Sequence, residues 1–372
     1  VDTSAWAKEA LPRASRWLQL PCRRHRHASL LEHQARRWAA ESGLATGAAG
    51  SRLRAHGLER LAATAMSEER DDQVLLYAHW LVWVFCLDDH VETRTGPQEI
   101  DALFRALTAR TGGNPPGDRG GRPPCAVEAA LGDLWERTCP RTSHHWRARF
   151  RRHLREQHAG CLREHRMRRA GAVPTPEEYP LLRRRSSGLW LYDLPEAVLD
   201  IELPPAFAAT ALWRELVRHI SDAANWCNDV LSHPKETADE LTVNYLLVAR
   251  HHLGLAPGAA LHWVTRRIVD RLDRAAALGT RVPDTAQRLG LSPHAVRGVS
   301  RVACAVLNFP SAYLSWALES GRYTDRTSPT APLSPTATGV SPRAPTAYAG
   351  ARTLHRAPAD PPAPRPALGP YV

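Results

Sequence analysis

Lysine is almost missing from this chain of 372 residues: Lys8 and Lys235 are the only two, and arginine supplies the rest of the 49 basic side chains. Cysteine is sparse and scattered, with seven residues (22, 86, 125, 139, 161, 227, 304) and no CxxC pair. That spacing argues against a disulfide framework or a zinc ribbon and fits a reducing cytosol. No run of 18 consecutive apolar residues occurs, so a membrane-spanning helix is not expected. The opening VDTSAWAKEALPRASRW lacks the charged-then-apolar pattern of a signal peptide, and a cytoplasmic location is expected. Alternating β-branched runs are also scarce, which sets all-β and α/β architectures aside.

What is present is positive charge, proline and helical periodicity. The formal charge is +11, which suggests an anionic partner: nucleic acid, a membrane surface or a phosphorylated small molecule. Charge alone does not choose among them. Eleven of the thirty prolines fall in the last 49 residues, mixed with Ala, Thr and Ser. Such a composition buries too little apolar area to offset its ordering entropy, so 324–372 is expected to be a disordered tail. A second Pro/Gly cluster, 111–125, reads as a loop. Elsewhere apolar residues recur at helical spacing, predicting helices near 28–43, 51–66, 68–93, 97–110, 126–138, 143–169, 175–187, 190–200, 206–236, 239–253, 258–279 and 292–321. The organisation expected is an N-terminal segment (1–22), one all-α domain (23–323) and the tail.

Two motifs carry chemistry. The first, AHWLVWVFCLDDHVETR, ends an apolar helix in carboxylates. Asp88 and Glu92 are i, i+4 and share a face, with Asp89 beside them; Phe85 and Leu81 precede on the same side. Hard oxygen ligands on one helix face suit Mg²⁺, which is commonly shared with substrate phosphates. The alternative is a plain solvated acidic helix end, against which the aromatic, uncharged approach argues. The second motif, NWCNDVLSHPKETADE, places Asn228, Ser232 and Glu236 at i, i+4, i+8 on one stripe. An amide oxygen, a hydroxyl and a carboxylate make a divalent-cation site, though the same spacing occurs on solvated helices. Lys235, one of only two lysines, stands beside Glu236 as a point charge for a phosphate oxygen. His233-Pro234 interrupts the motif, and proline removes a helix hydrogen bond there. Two metal-competent stripes on separate apolar helices suggest a diphosphate held between them.

These residues resemble the bacterial class I terpene synthases (terpene cyclases). FCLDDHVE and NDVLSHPKE look like that family's two metal motifs, and Trp80, Trp83, Phe85, Asp88 resembles its aromatic lead-in. EYPLLRRRSSGLW resembles its diphosphate-sensing helix break, with Arg184 as sensor, Ser187 as linker and Gly188 as effector. WALESGRY resembles its terminal Arg-Tyr pair, giving Arg322 and Tyr323, and Asn244 also fits. The resemblance covers about residues 20–323.

The resemblance implies a class I terpenoid synthase-type α-helical bundle around an apolar pocket. It implies a cluster of three Mg²⁺ ions held by Asp88, Glu92, Asn228, Ser232 and Glu236. A prenyl diphosphate, farnesyl diphosphate by the family's habit, would be bound by Arg184, Ser187, Lys235, Arg322 and Tyr323. Phe85 and Trp316 would face the carbocation. The protein would work as a monomer or homodimer with a small-molecule partner, without nucleic acid or a membrane span. Two other readings stand beside this one. A chain-elongating prenyl diphosphate synthase shares the metal chemistry but normally carries two Asp-rich motifs. A nucleic-acid binder would use the basic helix 143–169, although no RRM, KH or zinc-finger signature accompanies it. The His pairs 144–145 and 251–252 read as surface residues.

Overall fold

The computed structural model describes residues 9–19, 22–92, 96–112, 124–238 and 243–323, except the side chains of 48, 49 and 234–238. The expected tail, and most of the 111–125 loop, lie outside the described residues. Fifteen α-helices and five 3₁₀ turns, with no strand, make up the described residues. In chain order they are α1 Ala28–Glu41, α2 Gly47–His56, α3 Leu58–Ala65, α4 Asp71–Glu92, α5 Pro97–Thr111, α6 Ala126–Thr138, α7 His144–Arg169, α8 Tyr179–Ser187, α9 Leu194–Leu199, α10 Pro205–Ala208, α11 Ala211–Ala238, α12 Tyr245–Leu253, α13 Pro257–Gly279, α14 Val282–Arg288 and α15 Pro293–Glu319.

α4 is the inner helix. Val74, Leu76, Tyr77, Trp80, Leu81, Val82, Trp83 and Leu87 are all buried, so apolar residues surround it on most sides. By length and composition alone α4 would also cross a membrane, but more than half of its apolar stretch is buried inside the protein. It is the core helix of a helical array, packed by α1, α3, α6 and α9. A second group, α8, α11, α13 and α15, closes the other side, with α11 touching each of the other three. The tryptophans are mostly packing. Trp80, Trp83, Trp146 and Trp190 are fully buried and cluster with Phe150. Their indole N–H groups find acceptors in Thr138 Oγ1, the Val127 carbonyl, the Asp193 carbonyl and Gln157 Oε1. This is how an aromatic with one polar edge is buried at little cost.

Local signals set the boundaries. Ser143, Asn244 and Ser292 cap α7, α12 and α15 through side-chain oxygens that accept N-terminal backbone N–H groups. The single helix expected over 51–66 is two helices, because Gly57 adopts φ +59° and ends α2. The stretch 190–200 opens as a 3₁₀ turn, Leu189–Tyr192, before α9. Helix α14 escaped the periodicity because it is only seven residues long and has a proline, Pro283, as its second residue. Pro234 does not end α11, which continues to Ala238.

One core group titrates in an unusual direction. His79 on α4 is 4% exposed, stacks on Trp38 at 4.3 Å, and neither ring nitrogen has a hydrogen-bond partner among the described residues. Burial, with some help from the Arg137 charge, lowers its pKa to about 3. Between that value and 6.5 the unfolded chain holds a proton that the folded chain does not, so stability must fall as pH drops below 6.5. The limiting slope is about 1.4 kcal/mol per pH unit. His79→Phe keeps the stack and removes the titration. Thermal unfolding from pH 7 to 4.5 is expected to show a shallower acid loss in the variant, and identical profiles would contradict this account.

Candidate active site

α4 delivers Asp88, Asp89 and Glu92 to its C-terminal end, the wrong end of a helix dipole for negative charge. Positive charge arrives from the other end of the domain. After α15 the 3₁₀ turn Gly321–Tyr323 swings Arg322 over these carboxylates. Its guanidinium donates to Asp89 Oδ1 at 3.1 Å and Asp88 Oδ2 at 3.4 Å, and its Cζ lies 5.0 Å from the centre of the Phe85 ring. The Arg322 side chain is 12% exposed, whereas that of Asp88 is 51% exposed. Water therefore reaches Asp88, although protein surrounds it. The surrounding protein and the Glu92 charge push its pKa up to about 7, against the pull of Arg322. A divalent cation reverses that balance, because it stabilises the carboxylate form.

The second stripe meets the first through the residue after Arg322. Tyr323 and Tyr313 both accept hydrogen bonds from Nδ2 of Asn228, at 2.8 and 2.9 Å. Oδ1 of Asn228 accepts from Arg183 at 2.8 Å. One turn along α11, Ser232 is buried and its hydroxyl has no hydrogen-bond partner among the described residues. A buried, unpartnered hydroxyl costs about 1–3 kcal/mol unless something binds it. With the Asn228 amide oxygen one turn before it on the same stripe, such a hydroxyl fits a divalent cation. The helix places 236 on the same stripe, but the side chains of Lys235 and Glu236 lie outside the described residues.

The helix break is present. α8 stops at Ser187, and Gly188 takes φ +83°, ψ 96° before the 3₁₀ turn. Ser187 Oγ accepts from Asn225 Nδ2 at 2.9 Å, tying the break to α11. The two arginines before it part company. Arg184 donates to both oxygens of Asp222 at 2.6 and 2.8 Å, and Asp222 also pairs with Arg271 at 3.0 Å. Asp222 is fully buried, and burial pushes its pKa up to about 6 despite the two arginines. Arg183 instead donates to Asn228 and to Asp229, which Tyr179 also holds at 2.6 Å. In this structure Arg183, not Arg184, is the cation beside the metal-competent face.

Phe85 and Trp316 meet edge to face at 5.3 Å. Trp316 is 2% exposed and anchored through its indole N–H to the carbonyls of His56 and Gly57. Phe85 is half-buried on the carboxylate side, so Trp316 buttresses it from behind. Asn244 caps α12 and donates to the Asp229 carbonyl at 2.8 Å.

Sequence reasoning missed Arg183, Tyr313, Asp222 and Asp229. Two other features resolve into structure. His25, His27 and Asp71 converge, but His25 Nδ1 accepts from the His27 amide, its Nε2 lies 2.9 Å from the Glu69 carbonyl, and His27 Nδ1 lies 2.9 Å from Asp71. These nitrogens are all engaged within the chain. The arginines of α7 are largely engaged too: Arg149 pairs with Asp193 and Glu196, Arg151 donates to the Thr111 carbonyl and Arg168 pairs with Glu164.

The family model described as terpene synthase family 2, C-terminal metal binding, matches residues 79–274, which include both carboxylate- and amide-bearing stripes. The chain belongs to terpene synthase family 2. This terpene synthase is 29% identical to pristinol synthase of Streptomyces pristinaespiralis over 313 residues, 82% of this chain and 83% of that one. It is 32% identical over 230 residues to a (+)-T-muurolol synthase of Roseiflexus castenholzii, named as cyclising (2E,6E)-farnesyl diphosphate, spanning 60% of this chain and 68% of that one. Its fold matches the crystal structure of germacradien-4-ol synthase from Streptomyces citricolor with TM-score 0.70 at 23% identity, covering 80% of this chain and 96% of that one. At that identity the likeness speaks for the fold alone. The terpene synthase is thus an all-α enzyme of the lyase class that acts on prenyl diphosphates, with a divalent-metal site.

Proposed function

We propose that the protein ionises farnesyl diphosphate and cyclises the resulting cation to a sesquiterpene hydrocarbon or alcohol, releasing diphosphate. The observation that carries this reading is the convergence of Arg322 and Tyr323 on both motifs at once, on Asp88 and Asp89 from one residue and on Asn228 from the next. Asp88 and Glu92 on one side, and Asn228, Ser232 and Glu236 on the other, would hold the divalent cations, read as three Mg²⁺ ions. When bound, Mg²⁺ supplies Lewis-acid stabilisation of the leaving diphosphate.

The protein's own groups do the rest. Arg322, Arg183, Tyr323 and Lys235 are cations and donors for diphosphate oxygens, which gain charge as the allylic C–O bond breaks and the electron pair departs. Arg322 would exchange its contacts with Asp88 and Asp89 for the diphosphate. Arg184, through Asp222 and Arg271, and Ser187, through Asn225, fasten the break around Gly188 to α11 and α13 and set its position. Phe85 presents its aromatic face to the cation, worth about 0.5–2 kcal/mol. Burial of this wall keeps water from the cation until a proton is lost or water is admitted.

The test is the purified protein with Mg²⁺ and geranyl, farnesyl or geranylgeranyl diphosphate, followed by gas chromatography and mass spectrometry of extracts. A cyclic C15 product from farnesyl diphosphate is expected. No terpene from any substrate defeats the proposal, and a longer diphosphate on addition of isopentenyl diphosphate would make it an elongating enzyme. The domain division 23–323 also makes a prediction. Because the site closes with Tyr323, removal of 324–372 is expected to leave kcat/KM within about twofold, whereas removal from Gly321 onward abolishes turnover.

A further inference from the structure

Tyr313 lies on α15, is 5% exposed, and packs its ring between Phe309 and Trp316. Its hydroxyl is 2.6 Å from that of Tyr323, and both hydroxyl oxygens accept from Nδ2 of Asn228. The protons in this triangle can be counted. The amide offers two and the two hydroxyls offer one each. Arg183 on the other side identifies which amide atom is the oxygen, because a guanidinium only donates and so must face Oδ1. The two amide hydrogens then serve one hydroxyl oxygen each. One hydroxyl hydrogen bridges the tyrosines. The fourth hydrogen has no acceptor inside the triangle. A phenol ordinarily titrates at about 10, so both keep their protons at neutral pH.

We propose that Tyr313 is a positioning residue: it holds the Asn228 amide with its oxygen turned toward the cation side, and by donating to Tyr323 it leaves the Tyr323 O–H for an anion in the site. This rests on the reading of Asn228 as a metal ligand. Without the Tyr313 hydroxyl, one amide hydrogen loses its acceptor and the amide can rotate away. Tyr323 then has a different proton partner. A ligand-orienting neighbour of this kind is worth about 10-fold or more in metal affinity.

The test measures binding of Mn²⁺ to the full-length protein by the loss of its free-ion EPR signal, with and without inorganic diphosphate, alongside the melting temperature. Tyr313→Phe keeps the ring and removes the hydroxyl. It is expected to weaken Mn²⁺ binding about 10-fold and to reduce the gain that diphosphate brings. Tyr245→Phe is the matched control: it loses a buried hydroxyl bond to the Pro176 carbonyl, 3.1 Å long, a bond that includes none of Asn228, Tyr313 and Tyr323. It should change stability without changing Mn²⁺ affinity. Asn228→Ala separates the two levels of the reading. If it loses Mn²⁺ binding while Tyr313→Phe binds like the wild type, the role of Tyr313 is overturned and the metal site stands. If Asn228→Ala also binds like the wild type, both fall. Equal weakening in Tyr313→Phe and Tyr245→Phe would overturn the positioning role as a global loosening.

Discussion

Asp88→Asn is expected to lower kcat/KM for farnesyl diphosphate by about 10²–10³-fold, or about 3–4 kcal/mol of transition-state stabilisation. The same substitution should leave the metal-free protein as stable as the wild type, or more so. The two halves have one cause. Asp88 sits among protein atoms at the negative end of a helix, beside Asp89 and Glu92, and its charge is held there by Arg322, with a smaller pull from Arg183. An amide of the same shape removes repulsion that the metal-free fold must bear. It also removes the charge that a divalent cation would use. Melting curves in EDTA, and again with Mg²⁺ and inorganic diphosphate, check this directly. The wild type should gain stability from the added ligands and the variant should gain little. A variant that is both inactive and strongly destabilised in EDTA would mean that Asp88 is structural.

Much of the site was legible in the sequence because a helix converts spacing into geometry. Asp88 with Glu92, and Asn228 with Ser232, needed only the i, i+4 rule. The break at Gly188 came through the resemblance, and glycine suits it because it takes a positive φ at little cost. The pairing of Arg322 with the first motif was available only through the resemblance, because it joins residues more than 200 apart in sequence. The arginine triplet was not legible. Successive helical residues differ by about 100° in direction, so which arginine meets Asn228 depends on the rotation of α8 about its axis. Close approach to α7 helps to set that rotation: a Cβ on Gly160 would stand 2.6 Å from the Ser186 nitrogen and 2.7 Å from the Arg185 carbonyl carbon. Nothing in the residue types near Arg183 reveals that contact. Tyr313 was hidden differently. With Phe309 four residues before and Trp316 three after, it reads as one more apolar stripe, and only the hydroxyl geometry distinguishes it.

Gly188→Ala is expected to lower the melting temperature by roughly 6–10 °C, taking about 2–4 °C per kcal/mol for a domain of this size, and to reduce turnover further than the lost stability explains. Two costs combine. An L-residue held at φ +83° costs about 1–2 kcal/mol. Its Cβ would also lie 2.6 Å from Trp190 Nε1 and 3.1 Å from Gln157 Cδ. Trp190 cannot yield, because it is fully buried in the aromatic cluster with its N–H donated to Gln157. The break must therefore move instead. That displaces Ser187 from Asn225, Arg184 from Asp222 and Arg183 from Asn228, three of the contacts by which α8 grips α11. Gly171→Ala supplies the comparison. Gly171 has φ +61° with open space where a Cβ would go, so it bears the strain without the clash. It should cost about 1 kcal/mol and leave turnover unchanged. If the two variants melt and turn over alike, the packing of Trp190 against the break does not position the arginines, and the link from helix break to site is lost.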